Sequence, residues 1–140
     1  MTILRSLLFV PGNTSRMLDR AVALKPDAFI LDLEDSVPID EKSNARAVTA
    51  SYLERFAATG RPVIPRVNSL DTGLLEADLE AIVGPHLFGV SVGKIDTPAH
   101  TAEVSKILQR LEVKSGLAIG TTKLIPWIES ASAIVHVFDI

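Results

Sequence analysis

No cysteine occurs in the chain. That excludes disulfides, thiolate metal sites and a cysteine nucleophile, and it fits a cytoplasmic setting. No block of lysine and arginine is present and the net charge is −3, so neither nucleic acid nor an anionic membrane is an expected partner. The apolar opening from Ile3 to Val10 contains Arg5 and stops at Pro11-Gly12. It is too short to span a bilayer and lacks a signal-peptide cleavage pattern. No GxGxxG fingerprint or phosphate-binding loop is found. His86, His100 and His136 share no ligand spacing with one another or with the acids, and read as surface or helix residues. Internal repeats, linkers and low-complexity segments are also missing.

What is present describes a folded protein. With 47% hydrophobic and 22% charged residues over 140 positions, residues 1–140 read as one domain able to bury a true core. Apolar strands alternate with helical stripes. Strands are expected over Leu4–Val10, Ala28–Asp35, Pro62–Val67, Phe88–Val92 and the later part of Leu117–Ile128. Between them lie stripes of Met17, Ala21 and Leu24, with Leu18 and Val22 alongside; Ala45, Val48, Tyr52 and Phe56; Leu75, Leu79 and Ile82; and Val104, Leu108 and Leu111. Asn13 or Thr14, Asp40 and Ser130 are plausible N-caps, and the last helix is expected to be still running at Ile140. Trp127 and Phe138 are expected in the core. Repeated β-α units with short loops imply a parallel sheet with helices outside it. Length alone favours an open five-stranded doubly wound sheet, because a β/α barrel takes about 250 residues.

The chemistry gathers where strands end. Asp32, Glu34 and Asp35 interrupt an apolar strand, and three carboxylates so close need a cation, a proton or hydrogen-bond donors to offset their repulsion and desolvation. Arg66 and Asn68 end the third strand, Lys94 follows the fourth, and Glu129 follows the fifth. In parallel α/β folds the carboxyl ends of the strands share one side, where ligands bind. Glu129 is suited to a hard cation such as Mg²⁺. Arg66 is suited to a substrate carboxylate, or to an ion pair with the neighbouring acids. Lys94 offers an amine for a Schiff base, though a strand-end lysine more often stays solvated or binds an anion.

Read jointly, Leu8-Phe-Val-Pro-Gly12, Leu31-Asp-Leu-Glu-Asp-Ser-Val37, Glu41-Lys42, Ala45-Arg46, Arg66-Val-Asn68, Asp71-Thr72 and Ile128-Glu-Ser-Ala131 resemble the citrate lyase beta-chain and malyl-CoA lyase family, within the HpcH/HpaI aldolase–citrate lyase superfamily. The resemblance implies a TIM-type (β/α)8 barrel, of which this chain supplies about the first five β/α units. It also implies Mg²⁺-dependent reversible carbon–carbon cleavage of a citryl-CoA, malyl-CoA or related thioester into an acyl-CoA and a 2-keto acid. By position, Glu129 resembles the first metal ligand, and a second is expected on a sixth strand, past Ile140. Arg66 resembles the substrate-carboxylate and carbonyl-oxygen binder, with Asn68 nearby. Asp32 and Glu34 resemble residues that hold metal-bound waters, and Asp35 lies beside the reacting carbonyl. Arg16, Lys42 and Arg46 are weaker candidates for coenzyme A phosphates. Gly93 stands where the family usually has proline. The 140 residues by themselves are expected to show little lyase activity and, with open sheet edges, to form a homo-oligomer. Two other functions fit the same residues: a non-catalytic oligomerising or binding module, and a metal-dependent 2-keto acid aldolase without coenzyme A.

Overall fold

Five parallel strands, each followed by a helix, run through the computed structural model, which describes residues 3–140. β1 spans Leu7–Pro11, β2 Ala28–Asp32, β3 Arg66–Val67, β4 Gly89–Val92 and β5 Lys123–Pro126; α1 is Ser15–Ala21, α2 Lys42–Ala57, α3 Leu75–Ile82, α4 Pro98–Lys114 and α5 Ala131–Val135. The strands lie in the order β1-β2-β3-β4-β5, without the reversal that marks a doubly wound switch point. No helix among the described residues is long and apolar enough to cross a membrane.

Alternation along the strands sorts the side chains between two faces. Phe29 and Leu31 of β2, with Val90 and Val92 of β4, join the large core under the helices, together with Leu18, Ala45, Phe56, Leu79 and Val104. The opposite face carries a smaller cluster of Ala28, Ile30 and Ile64, against which Leu4, Phe88 and Ile125 pack. On that inner face the sheet curls strongly. In a flat sheet β1 and β5 would stand about 19 Å apart, four strand spacings. Yet Phe9 of β1 and Trp127, just beyond β5, have ring centroids 5.9 Å apart. This curvature is that of a barrel wall. Gly89 makes the β4–β5 approach possible, since a methyl group there would overlap the Lys123 carbonyl.

Several local expectations shift, each for a physical reason. β3 keeps only two ladder residues plus an isolated Phe29–Val63 bridge, because Pro62 and Pro65 have no N–H to give. α1 buries Leu18 and Ala21, whereas Met17 and Leu24 are half exposed. Thr14 precedes α1 without capping it through its side chain, and its hydroxyl donates instead to Asn13. Asp40 is not the α2 cap: it sits inside a 3-10 turn, Ile39–Glu41, and Glu41 takes the cap position. Ser130 does cap α5, accepting from the Ala133 N–H at 3.0 Å. That helix nevertheless ends at Val135 rather than continuing to Ile140. Its apolar residues find little to bury against, and packing, not propensity, sustains short helices. For the same reason Phe138 is fully exposed rather than core, while Trp127 is half-buried.

Candidate active site

β2 ends in a turn built by its own first acid. Asp32 accepts from the backbone N–H groups of Glu34 (3.0 Å) and Ser36 (3.1 Å). It also takes a two-pronged contact from Arg66, directly across the ladder, with Nε and Nη2 each at 2.7 Å from a carboxylate oxygen. Arg66 Nη1 reaches Glu34 at 3.2 Å and Asp35 at 3.1 Å. One guanidinium therefore serves three carboxylates, and the Phe9 ring lies 5.2 Å below it, a cation–π arrangement. The ion pair offered by the sequence is present. Asp32 and Glu34 are buried, whereas the Asp35 side chain is 71% exposed and faces open space with Arg66 Nη1 behind it.

Glu129 comes to the same rim from the far end of the sheet. A Cβ at Gly93 would lie 2.9 Å from Glu129 Oε1, 3.3 Å from Glu34 Oε1 and 3.5 Å from Glu34 Oε2. The two carboxylates thus occupy the space a side chain would fill, which explains why position 93 carries none here. Glu129 Oε1 accepts from the Lys94 N–H at 2.7 Å. Glu34 Oε1 is buried and has no hydrogen-bond partner; Lys94 Nζ stands 3.5 Å away. An open cavity of about 640 Å³ fronts these groups, lined by Glu34, Asp35, Asp71, Lys94, His100 and Glu129 among others. No group of three or more His, Cys, Asp or Glu among the described residues forms a metal cage. Two facing carboxylates, one with an orphan buried oxygen, do fit Mg²⁺, which binds through one or two carboxylates and keeps several waters.

Behind the rim lies a network whose anchor the sequence did not reveal. Asp78 of α3 is completely buried. It accepts from Asn68 N (2.8 Å), Asn68 Nδ2 (2.6 Å) and Arg46 Nε (2.7 Å). Asn68 Nδ2 also donates to the Leu33 carbonyl at 2.9 Å. The buried Lys42 ammonium donates to the Leu33 and Glu34 carbonyls at 2.7 and 2.6 Å. Lys42, Asn68 and Asp78 therefore fix the backbone that carries Glu34. Asn68 supports the site from behind, and Lys42 and Arg46, candidates for coenzyme A phosphates, are committed to internal acceptors. Burial also lowers the Lys42 ammonium below its usual pKa, against the pull of Asp78 and other nearby carboxylates. Arg16, on α1, is exposed. An acid spaced among core leucines, as in Leu75-Glu-Ala-Asp-Leu79, was the only sequence signal for Asp78.

The rim acids are driven in opposite directions. Burial alone would raise the Asp32 carboxyl, but Arg66 and the Ser36 and Glu34 N–H groups hold it below its usual value. Burial raises Glu34, and the Arg66 and Lys94 charges only partly offset that. An acid depressed in the fold contributes stability above its unfolded value and loses it as pH falls through the folded one. An acid raised in the fold contributes below its unfolded value of about 4.3 and loses that contribution as pH rises through the folded one. Glu34→Gln is therefore expected to leave the protein at least as stable as the parent at pH 7. It should also remove part of the stability loss seen just above pH ~4.3. Urea titrations of both proteins from pH 4 to 7 check this, and a parent-like pH profile in the variant counts against it.

The family model described as HpcH/HpaI aldolase/citrate lyase matches residues 5–140. The chain belongs to this family. It is 35% identical to the citrate lyase subunit beta of Escherichia coli K12 over 136 residues, 97% of this chain and 45% of that protein. It is 38% identical to a (3S)-malyl-CoA thioesterase of Cereibacter sphaeroides over 107 residues, 76% of this chain and 38% of the other. Among solved structures, protein CitE from Mycobacterium tuberculosis in complex with magnesium and pyruvate superposes with a TM-score of 0.70 at 26% identity, covering 96% of this chain and 48% of CitE. The fold alone is shared with the Haloferax volcanii malate synthase pyruvate/acetyl-CoA ternary complex, at a TM-score of 0.89 and 19% identity over 99% of this chain and 43% of the other. The architecture is accordingly that of the first β/α units of a TIM-type barrel. The chain spans about 45% of the length of the citrate lyase beta subunits it matches.

Proposed function

We propose that this chain carries the metal-binding half of a carbon–carbon lyase site that cleaves a citryl-CoA, malyl-CoA or related 3-hydroxyacyl thioester into an acyl-CoA and a 2-keto acid. The observation that carries the reading is the meeting of Glu34 and Glu129 over Gly93, with Arg66 alongside. The magnesium and pyruvate bound to the related CitE support it.

Glu129 would hold a divalent cation, with Glu34 holding its waters. Bound there, the ion supplies Lewis acidity toward the oxygens of the keto acid. Arg66 Nη1, on the open side of its pair with Asp32, would donate to the oxygen that becomes the keto acid's carbonyl, offsetting the alkoxide charge it carries before the carbon–carbon bond breaks and its electron pair passes to the acyl-CoA enolate, and the same charge as it returns in the reverse, bond-forming direction. Asp35 lies beside that carbonyl, free enough to rotate away from Arg66 as substrate enters. Asp32 holds the guanidinium plane, so the donor is aimed before substrate arrives. Residues 1–140 act as a single domain, a partial barrel, and the unpaired edges of β1 and β5 call for further strands or another copy to cover them.

A second reading, a 2-keto acid aldolase that does not use coenzyme A, draws on the internal commitment of Lys42 and Arg46. Turnover of a panel of CoA thioesters and free keto acids by a form that completes the barrel, with and without Mg²⁺, separates the two. Glu129→Gln is expected to weaken Mn²⁺ binding at least about tenfold and to lower kcat/KM by roughly 10²-fold. Parent-like values for both quantities would reject the assignment.

A further inference from the structure

Lys94 touches both rim carboxylates and has no part in the function just described. Among the described residues it is the only non-glycine with positive φ, at +55°. A side chain with a Cβ tolerates that conformation only where its surroundings enforce it. Here the enforcing contacts are two. The Lys94 N–H donates to Glu129 Oε1 at 2.7 Å, and its ammonium sits 3.5 Å from Glu34 Oε1. The second contact is longer than a charge-assisted hydrogen bond, which closes to about 2.8 Å. The oxygen it faces is buried and otherwise unpartnered, on a side chain only 7% exposed.

We propose that the Lys94 ammonium is a displaceable counter-ion, paired with Glu34 beside Glu129 in the metal-free protein and leaving Glu34 when a divalent cation binds. The inference rests on the metal reading above. Two carboxylates pressed against one glycine repel unless a cation stands between or beside them; Arg66 Nη1 meets Glu34 Oε2 at 3.2 Å, and Lys94 is the cation that faces Oε1. Its side chain is 52% exposed, so the head can return to water on a flexible stem. Asp71 lines the same cavity and adds a weaker attraction on the ammonium. The main-chain contact to Glu129 does not depend on the side chain, so one carboxylate stays aimed while the other is released.

Because the ammonium and the waters of the bound metal compete for one oxygen of Glu34, removing the ammonium must tighten the metal. Mn²⁺ binding, followed by the electron paramagnetic resonance of the free ion, is measured on the full chain. Lys94→Met and Lys94→Asn are expected to bind about tenfold more tightly, as loss of one adjacent charge warrants; asparagine also adopts the left-handed conformation readily. Lys94→Arg should stay close to the parent, and so should Lys106→Met, which removes an equal charge from the exposed face of α4. Parent-like or weaker binding in both neutral variants overturns the proposal, and so does equal tightening by Lys106→Met. The metal reading survives either result provided Glu129→Gln still weakens Mn²⁺. If neither the parent nor the Lys94 variants bind Mn²⁺ at millimolar concentrations, both proposals fall.

Discussion

Arg66→Ala is expected to cost about 3–5 kcal/mol of stability, the range for stripping one partner from a buried charge pair. The cause is local. Asp32 is 2% exposed, and its carboxylate stays ionised because the guanidinium meets both of its oxygens at 2.7 Å. Without that partner, burial acts unopposed and the ionised form becomes the costly one. The sign of the pH dependence should therefore reverse. In the parent, the Asp32 contribution is present above an unfolded value of about 3.9 and is lost as pH falls through its lower folded value. In the variant, the folded value rises, so the penalty is fully present at neutral pH and fades on acidification. Urea unfolding at pH 7 and pH 4 measures both. Arg66→Lys should recover only part of the loss, since one ammonium cannot match a planar fork. A loss under about 1 kcal/mol at pH 7, the scale of an exposed pair, would show that the rim is solvated after all. In a barrel-completing form the same substitution should lower kcat/KM by roughly 10³-fold, as removal of a donor from a developing oxyanion does.

Asp78→Ala is expected to destabilise by about 4 kcal/mol, with a fall in Tm of the order of 10–15 °C for a domain of this size. No part of Asp78 reaches solvent. Its loss strands the Asn68 N–H, the Asn68 side-chain amide and Arg46 Nε at once, each in a place water does not reach easily. The effect should also spread to the rim. Asn68 shares its amide between Asp78 and the Leu33 carbonyl, so hydrogen exchange along residues 33–36 is expected to accelerate even where the variant stays folded. Asp78→Asn keeps one acceptor and turns an NH₂ toward donors, so it should fall between parent and alanine. Exchange unchanged at residues 33–36 in a folded variant would separate Asp78 from the site.

Much of the fold was legible in the sequence because period-3.6 stripes and short apolar runs encode which face meets the core. The stripe Leu75, Leu79 and Ile82 is buried throughout, as is Val104, Leu108 and Leu111. What failed was boundary chemistry. Asp40 had the residue type of a cap, but the chain enters α2 through a 3-10 turn that uses Glu41. Phe138 had the residue type of a core member, but its helix stops first. Both outcomes depend on neighbours distant in sequence, which local pattern does not carry.

The site divides the same way. Which residues hold charge at strand ends, Asp32, Glu34, Asp35, Arg66, Lys94 and Glu129, was fixed by the order of amino acids, since a parallel sheet must bring its carboxyl ends to one rim. How those charges are partnered was decided only in three dimensions. Curvature sets Glu129 against Glu34 across Gly93, turns Lys42 and Arg46 inward, and places Asp78 under Asn68. Charge and hydrophobic period are properties of single residues and their spacing, whereas who faces whom across a curled sheet is a property of the packing.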